Sequence, residues 1–397
     1  MNVAPSSTSR PPVLVFEPRV EGHHVSYLKF VTEDLLGAGY TLTLAIDTRP
    51  QPMERIRAQL GDLLERVRLL PVCDASGQRV ADGQVGAVAH CLRESGAQIA
   101  FLDNFDEIAS TVLRRAAFGK MPPQELRGRF GGIYLRPRFL AGCGVSPNLW
   151  IKALGFSRLL RGSWLNQLLL LDPYLAAEVK QRWPGAPVAH LPDPFPENFT
   201  ADRAEARRTF RLADDRRVFL FYGGAYRRKG LPLTVEAMLE LPADSPALLL
   251  CAGQRPADEP AAEGLAELVR RGRAVVVNRY VTAEEEKQLF AACDVVLLPY
   301  IGHFGSSGLQ VRAAGAGRPV IASDEELVGR LVREHRLGPL FRSGDAAALR
   351  VVIDATARAP ESELARWREA AGAYALRCSR VAWRAALVES FGRAEVI

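Results

Sequence analysis

The sequence predicts an α/β protein of two domains, each a doubly wound parallel sheet, and three observations carry that prediction. At 397 residues the chain is longer than one hydrophobic core usually supports. Short apolar runs alternate with helical stretches instead of clustering, which is the pattern of parallel strands joined by crossover helices. The proline-rich turn LPDPFPE at 191–197 can continue neither a strand nor a helix, so it separates domains at 1–190 and 191–375.

The first domain begins with a strand over 13–16 and a helix over 25–37. A strand over 41–46, a helix over 53–67, a short strand near Leu69, a helix over 85–94 and a strand over 98–102 follow. Asp103 and Asp106 lie just past that last strand, at the edge of an open α/β sheet where ligands collect. Residues 168–171, 173–183 and 188–191 read as strand, helix and strand. In the second domain a strand over 218–222 runs through the loop Gly223 to Gly230 into a helix over 233–241. A strand over 247–251, a helix over 262–271 and a strand over 274–277 come next.

A helix then carries Leu289, Phe290, Ala292 and Cys293 at helical spacing, with Thr282 as its N-cap and Glu284, Glu285 and Glu286 as acids favoured by the dipole. The buried strand 295–298 is ended by Pro299. A glycine loop over 302–308, a small-residue helix over 309–315 and a strand over 319–322 complete a βαβ unit. Further helices are expected over 326–334, 345–357 and 362–391.

Composition is that of a globular enzyme, with 48% hydrophobic and 24% charged residues. No apolar run reaches the roughly 18 residues that span a bilayer, and residues 1–12 lack the apolar core of a signal peptide. A cytoplasmic protein is expected. The six cysteines have no C-x-x-C spacing and read as small buried hydrophobes. A net charge of +6 suits a polyanionic ligand, an acidic membrane surface or a nucleic acid. Ten basic residues stand against the single acid Glu125 over 111–163, interleaved with Phe118, Phe130, Phe139, Trp150 and Phe156. A solvated edge is the plain reading, contact with acidic lipid at the inner face of the plasma membrane the sharper one. Without a recognition module, RNA binding is the weakest of the three.

Two loops carry the expected chemistry of the second domain. Gly305, Ser306, Ser307 and Gly308 open a helix, and free N–H groups backed by the helix dipole favour a phosphate there. Gly223, Gly224, Arg228 and Lys229 lie between a strand and a helix, and Lys229 is the cation expected to hold a diphosphate as it gains charge.

The order from Asn278 to Asp324, with its acidic helix, D-V-x-x-x-P, glycine loop and G-x-P-V-I-A-S, resembles the donor-binding half of retaining glycosyltransferases of the GT-B fold, family 4 in particular. That resemblance implies two Rossmann-like domains with an interdomain cleft and a C-terminal helix, here 376–397, crossing back to the first. It implies transfer of a sugar from a nucleoside diphosphate sugar to a glycan or lipid-linked hydroxyl, with retention. No D-x-D follows a strand end where it could chelate a diphosphate with a metal, so neither metal nor cofactor is expected, and nucleic acid is not expected as a partner. Tyr280 and Val281 fall at the nucleobase, and Leu309 in the first turn at the diphosphate. Gly22, His23 and His24 fall on the family's first-domain glycine loop, and His23, His24, Asp103 and Asp106 become the catalytic candidates.

Two departures accompany the resemblance. Gly224 stands where the loop arginine is expected, and Phe304 and Arg312 occupy the places of the family's two glutamates, with His303 the expected stand-in beside the sugar. Two other readings therefore stand beside glycosyl transfer: a sugar-nucleotide epimerase or hydrolase of the same shape, and a non-catalytic homologue that binds anions or membrane.

Overall fold

The computed structural model describes residues 10–21, 24–142, 144–224, 227–256 and 260–394. The chain divides into two compact units, residues 1–191 with 384–397, and residues 192–383. The first holds β1 (Val13–Glu17), α1 (His24–Gly37), β2 (Leu42–Ile46), α2 (Pro50–Leu60), β3 (Arg68–Pro71), α3 (Gly83–Ser95), β4 (Ile99–Leu102), α4 (Asp106–Ala117), β5 (Phe130–Tyr134), α5 (Pro147–Arg161), β6 (Leu165–Leu170), α6 (Pro173–Arg182) and β7 (Val188–His190). All neighbouring strands pair in parallel, in the order β3-β2-β1-β4-β5-β6-β7.

The second unit holds α7 (Arg203–Thr209), β8 (Arg217–Tyr222), α8 (Leu231–Leu239), β9 (Ala247–Ala252), α9 (Ala262–Arg270), β10 (Ala274–Val277), α10 (Ala283–Ala292), β11 (Val295–Leu298), α11 (Gly308–Gly315), β12 (Val320–Ser323), α12 (Glu326–His335), β13 (Leu340–Phe341), α13 (Ala346–Arg358) and α14 (Glu361–Arg377). Its parallel sheet runs β10-β9-β8-β11-β12-β13. The last helix, α15 (Arg380–Ala394), starts in the second unit and continues into the first from Arg384 onward. The change of unit thus comes at Arg384, not near residue 376. Within the first unit Arg384 pairs with the buried Asp34 at 2.7 Å, and the Phe391 ring lies against Tyr40 and Phe101.

Several expected elements differ in detail. The helix foreseen over 53–67 stops at Leu60, because Gly61 has a φ of +50° and the chain tightens into a 3-10 turn over Gly61–Arg66. The single C-terminal helical region is two helices with a break at Cys378. The basic stretch contains β5 and α5, which apolar periodicity does not reveal. The five described cysteines are all buried thiols. Among the described residues no helix is long and apolar enough to cross a membrane.

In both sheets the strand order reverses, between β1 and β4 in the first unit and between β8 and β11 in the second. At such a point the loops leave the sheet in opposite directions and open a crevice at the strand ends. Close packing next to it depends on glycine. A Cβ on Gly155 of α5 would lie 1.8 Å from the Leu113 carbonyl oxygen of α4. Gly155→Ala must push these helices apart. The expected loss is about 1–3 kcal/mol, read as a lower urea midpoint of the full chain, and an unchanged midpoint would refute this packing.

Candidate active site

In the second unit, the loops after β8 and β11 meet. Gly230, with φ +74°, follows the 3-10 turn Arg227–Lys229, and a Cβ there would stand 1.9 Å from the Pro299 carbonyl oxygen. Only glycine allows this approach. As a result Lys229 Nζ donates to Tyr300 Oη at 3.2 Å, and Tyr300 Oη lies 2.9 Å from Ser307 Oγ. Lysine and serine are joined through one phenol. Ser307 is the N-cap of α11, accepts from the Gln310 N–H and is buried.

Gly305 has a φ of +98° and turns the chain into α11, with Gly308 and Leu309 forming the helix's first residues. His303 Nε2 donates to the Ser306 carbonyl at 3.0 Å, which leaves Nδ1 to accept from Arg228 Nη1 at 3.3 Å. This arrangement fits the neutral ring. The loop thus gathers two cations and unpaired first-turn N–H groups around a helix N-terminus, an arrangement suited to an anion.

Arg312 has a different setting from the one foreseen. Its Nη1 donates to the Gly308 carbonyl at 3.1 Å and its Nε lies 3.2 Å from Glu286 Oε1. Glu286 is therefore not a solvated helix acid like its neighbours: burial raises its pKa, and it accepts a hydrogen bond from Tyr222 at the end of β8. The capping box between Thr282 and Glu285 is present. Tyr280 is 77% exposed whereas Val281 is buried, so the loop before α10 presents the phenol and tucks the valine under it. Gly223 ends β8 with φ +114°, and its carbonyl lies against Gly253. Gly224 follows it.

In the first unit, Gly22 and His23 lie outside the described residues. His24 opens α1, is buried, and holds its Nδ1 2.8 Å from Glu17 Oε2, while Glu17 Oε1 accepts from the Arg19 N–H at 2.9 Å. Parallel pairing of Phe16 with Leu102 sets Glu17 and Asp103 side by side at the strand ends. Asp103 is 1% exposed, and neither carboxyl oxygen has a hydrogen-bond partner among the described residues. Burial, with the Glu17 charge adding to it, pushes its pKa well above the usual carboxylate range and favours the acid form. An orphaned, protonatable group at the reversal of strand order is a candidate hydrogen-bond donor for a bound hydroxyl.

Asp106 does other work. Its two oxygens accept the Leu135 and Arg136 N–H groups at 2.7 and 3.1 Å, anchoring the loop after β5, although burial still lifts its pKa to about 6. Both oxygens are thereby committed to backbone. The helix is opened instead by Asn104, whose Oδ1 accepts the Asp106 N–H at 3.1 Å.

Sequence reasoning missed Glu17, Tyr300 and the buried role of Glu286. Each sits one or two residues beyond an expected strand or inside a run of like residues, and only the folded chain reveals its partner. Asp103→Asn provides a check on the buried acid. A raised folded pKa means the folded protein holds a proton that the unfolded chain releases, so wild-type stability falls as pH rises above the ordinary value of 3.8. Asn carries no such slope. Urea midpoints at pH 5 and pH 8 should show the variant gaining on the wild type with rising pH, and parallel profiles would contradict a protonated Asp103.

Residues 216–357 match the family model for glycosyl transferases group 1. No curated protein matches the chain. Among solved structures, sucrose-phosphate synthase from Thermosynechococcus elongatus aligns over 98% of this chain and 100% of its own at 17% identity and a TM-score of 0.68. HepE from Anabaena, in complex with UDP and glucose, aligns over 96% of this chain and 100% of its own at 15% identity and a TM-score of 0.68. WaaG, a glycosyltransferase involved in lipopolysaccharide biosynthesis, aligns over 97% and 99% at 16% identity and a TM-score of 0.65. At those identities the structural matches speak for the fold alone. The chain thus has the GT-B fold, and the match to the glycosyl transferases group 1 model falls within its second unit.

Proposed function

We propose that the protein transfers a sugar from a nucleoside diphosphate sugar to an acceptor hydroxyl, with retention and without a metal ion, as family 4 enzymes of this fold do. The observation that carries the reading is the chain Lys229–Tyr300–Ser307 at the N-terminus of α11. The bond from the anomeric carbon to the diphosphate oxygen breaks, and that oxygen gains charge. Lys229, Arg228 and the α11 N–H groups neutralise it where a metal ion otherwise would. The acceptor oxygen bonds to the anomeric carbon from the face the leaving group departs, and its proton passes to the diphosphate oxygen. In the first unit, the acid form of Asp103 donates to a hydroxyl, and Glu17 holds His24 in place beside it.

Structures with UDP bound to HepE support a nucleotide donor for a protein of this shape. Phe304 offers no charge, and His303 orients the donor sugar only by exchanging its bond to Arg228 or to the Ser306 carbonyl for one to the ligand.

Titration calorimetry of the full chain with UDP, GDP and ADP tests the reading. One of them should bind, with affinity unchanged by EDTA. Lys229→Ala should weaken it at least about tenfold, the cost of roughly one charge-assisted hydrogen bond, and Tyr300→Phe by less. Binding by none, or an undiminished Lys229→Ala, would overturn the donor site. A product of inverted anomeric configuration would overturn retention.

A peripheral membrane contact is a second reading with its own observation. Trp150 and Leu154 of α5 are 59% and 47% exposed, Phe118 and Val145 more so. Several nearby cations serve the fold: Arg127, Arg129 and Arg158 donate to backbone carbonyls. The exposed aromatic and aliphatic side chains, with the exposed Arg136, Arg138 and Arg161, are suited to an acidic lipid surface. Trp150→Ala with Arg136→Glu and Arg138→Glu should abolish flotation with phosphatidylglycerol vesicles, and flotation unaffected by the three changes would exclude the contact.

A further inference from the structure

The first unit contains a cavity of about 740 Å³ that the reading above does not use. It lies between the first turn of α3, the first half of α4 and the segment Met121 to Pro123, and its volume is that of a small-molecule site, roughly 300–1,000 Å³. Three arginines from separate elements line it: Arg19 after β1, Arg79 before α3 and Arg115 on α4. Two acids, Asp82 and Glu107, line it as well.

The balance of these charges decides what fits. Glu107 is already occupied, taking Arg19 Nη2 at 2.9 Å and Gln84 Nε2 at 2.9 Å. Arg79 and Arg115 are exposed, and neither guanidinium has an ion pair or hydrogen bond among the described residues. Asp82 makes no cap bond to α3, and residues 83–86 of that first turn line the cavity. Gly83 and Gly86 leave the turn uncovered. Two unspent guanidiniums and a helix start outweigh one carboxylate. Lys120 stands in the small adjoining pocket. Val85, Ile108, Met121 and the two prolines supply an apolar wall opposite the charges.

We infer that this cavity binds a phosphate monoester, with Arg79 and Arg115 on the phosphate and the apolar wall against the rest of the molecule. Guanidiniums present paired donors that match phosphate oxygens, and an anion at the α3 N-terminus gains from the dipole. The inference deepens the glycosyl-transfer reading, on which it rests for the ligand's role: the acceptor carries a phosphate group, either as a soluble sugar phosphate or as a lipid phosphate.

The test compares the full chain with the double variant Arg79→Ala, Arg115→Ala. Calorimetry with glucose, glucose 6-phosphate and inorganic phosphate is run beside flotation with phosphatidic acid vesicles, and UDP, GDP and ADP serve as controls. Both side chains are exposed and unpartnered, so thermal stability should not change. A soluble source gives binding of the sugar phosphate but not of glucose, at least tenfold weaker in the variant. A lipid source gives phosphatidic acid flotation that the variant loses. Nucleotide affinity should be equal in both proteins. If phosphate binding and flotation are absent from the wild type, or survive in the variant, the cavity is not a phosphate site, whatever the nucleotides do. If no nucleotide binds while the arginine-dependent phosphate binding persists, the donor reading fails and this site stands.

Discussion

The approach of Gly230 to the Pro299 carbonyl is the contact on which the second unit's chemistry depends. β8 and β11 are neighbours although two strands, β9 and β10, lie between them in the chain, and Asp294 fastens them at their starts. Its N–H donates to the Val218 carbonyl, its carboxylate accepts the Val218 N–H at 2.8 Å, and Arg203 closes on it at 2.7 Å. With the strands fixed at one end, their other ends must diverge by the sheet's twist. Gly230 limits that divergence, because without a Cβ the two loops touch backbone to backbone. Any side chain there would lift Lys229 away from Tyr300, and the cation would no longer share a hydroxyl with the α11 N-cap.

The first unit solves the same geometric problem with different chemistry. There the two central strands end on acids, Glu17 and Asp103, and parallel register leaves the carboxyls side by side. Two adjacent charges out of water are costly, so burial and the Glu17 charge raise the pKa of Asp103, the member with fewer partners, and favour its acid form. Glu17 has two such partners, a backbone N–H and His24. Asp103 has none among the described residues. In each unit the group of interest stands where strand order reverses, and its properties come from the neighbouring strand, not from its own.

That dependence explains what could be read from residue order and what could not. Alternating apolar runs and helical spacing located most strands and helices to within a few residues, because each obeys a local period. β5 escaped, since its sequence FGGIY carries glycines that weaken a strand taken alone. A Cβ at Gly131 would meet the Gln167 carbonyl at 1.7 Å, and one at Gly132 the Leu102 carbonyl at 2.0 Å, so the same glycines are required by both flanking strands. Ser307 and Lys229 were legible because helix starts and cationic loops have local signatures. Tyr300, Glu17 and Glu286 were not, because each acquires its role from a partner at least seven residues away. In the run of basic residues over 111–163, Arg127, Arg129 and Arg158 donate to carbonyls of the fold, which charge counting cannot distinguish from cations left on the surface.

Arg312 shows how a charge reversal is absorbed. Arg312 lies in the last turn of α11, where the dipole favours a cation, but its guanidinium is still largely withdrawn from water. Two contacts offset this. The guanidinium curls onto the Gly308 carbonyl, and Glu286 from α10 comes within 3.2 Å of it. Glu286 in turn leaves the water that Glu284 keeps, and the Tyr222 hydroxyl helps hold it. A carboxylate therefore remains close to position 312, though it arrives from a different helix and is tied to an arginine. Its accepting capacity is partly spent, and Tyr222, Glu286 and Arg312 form one bonded group in place of a free acid.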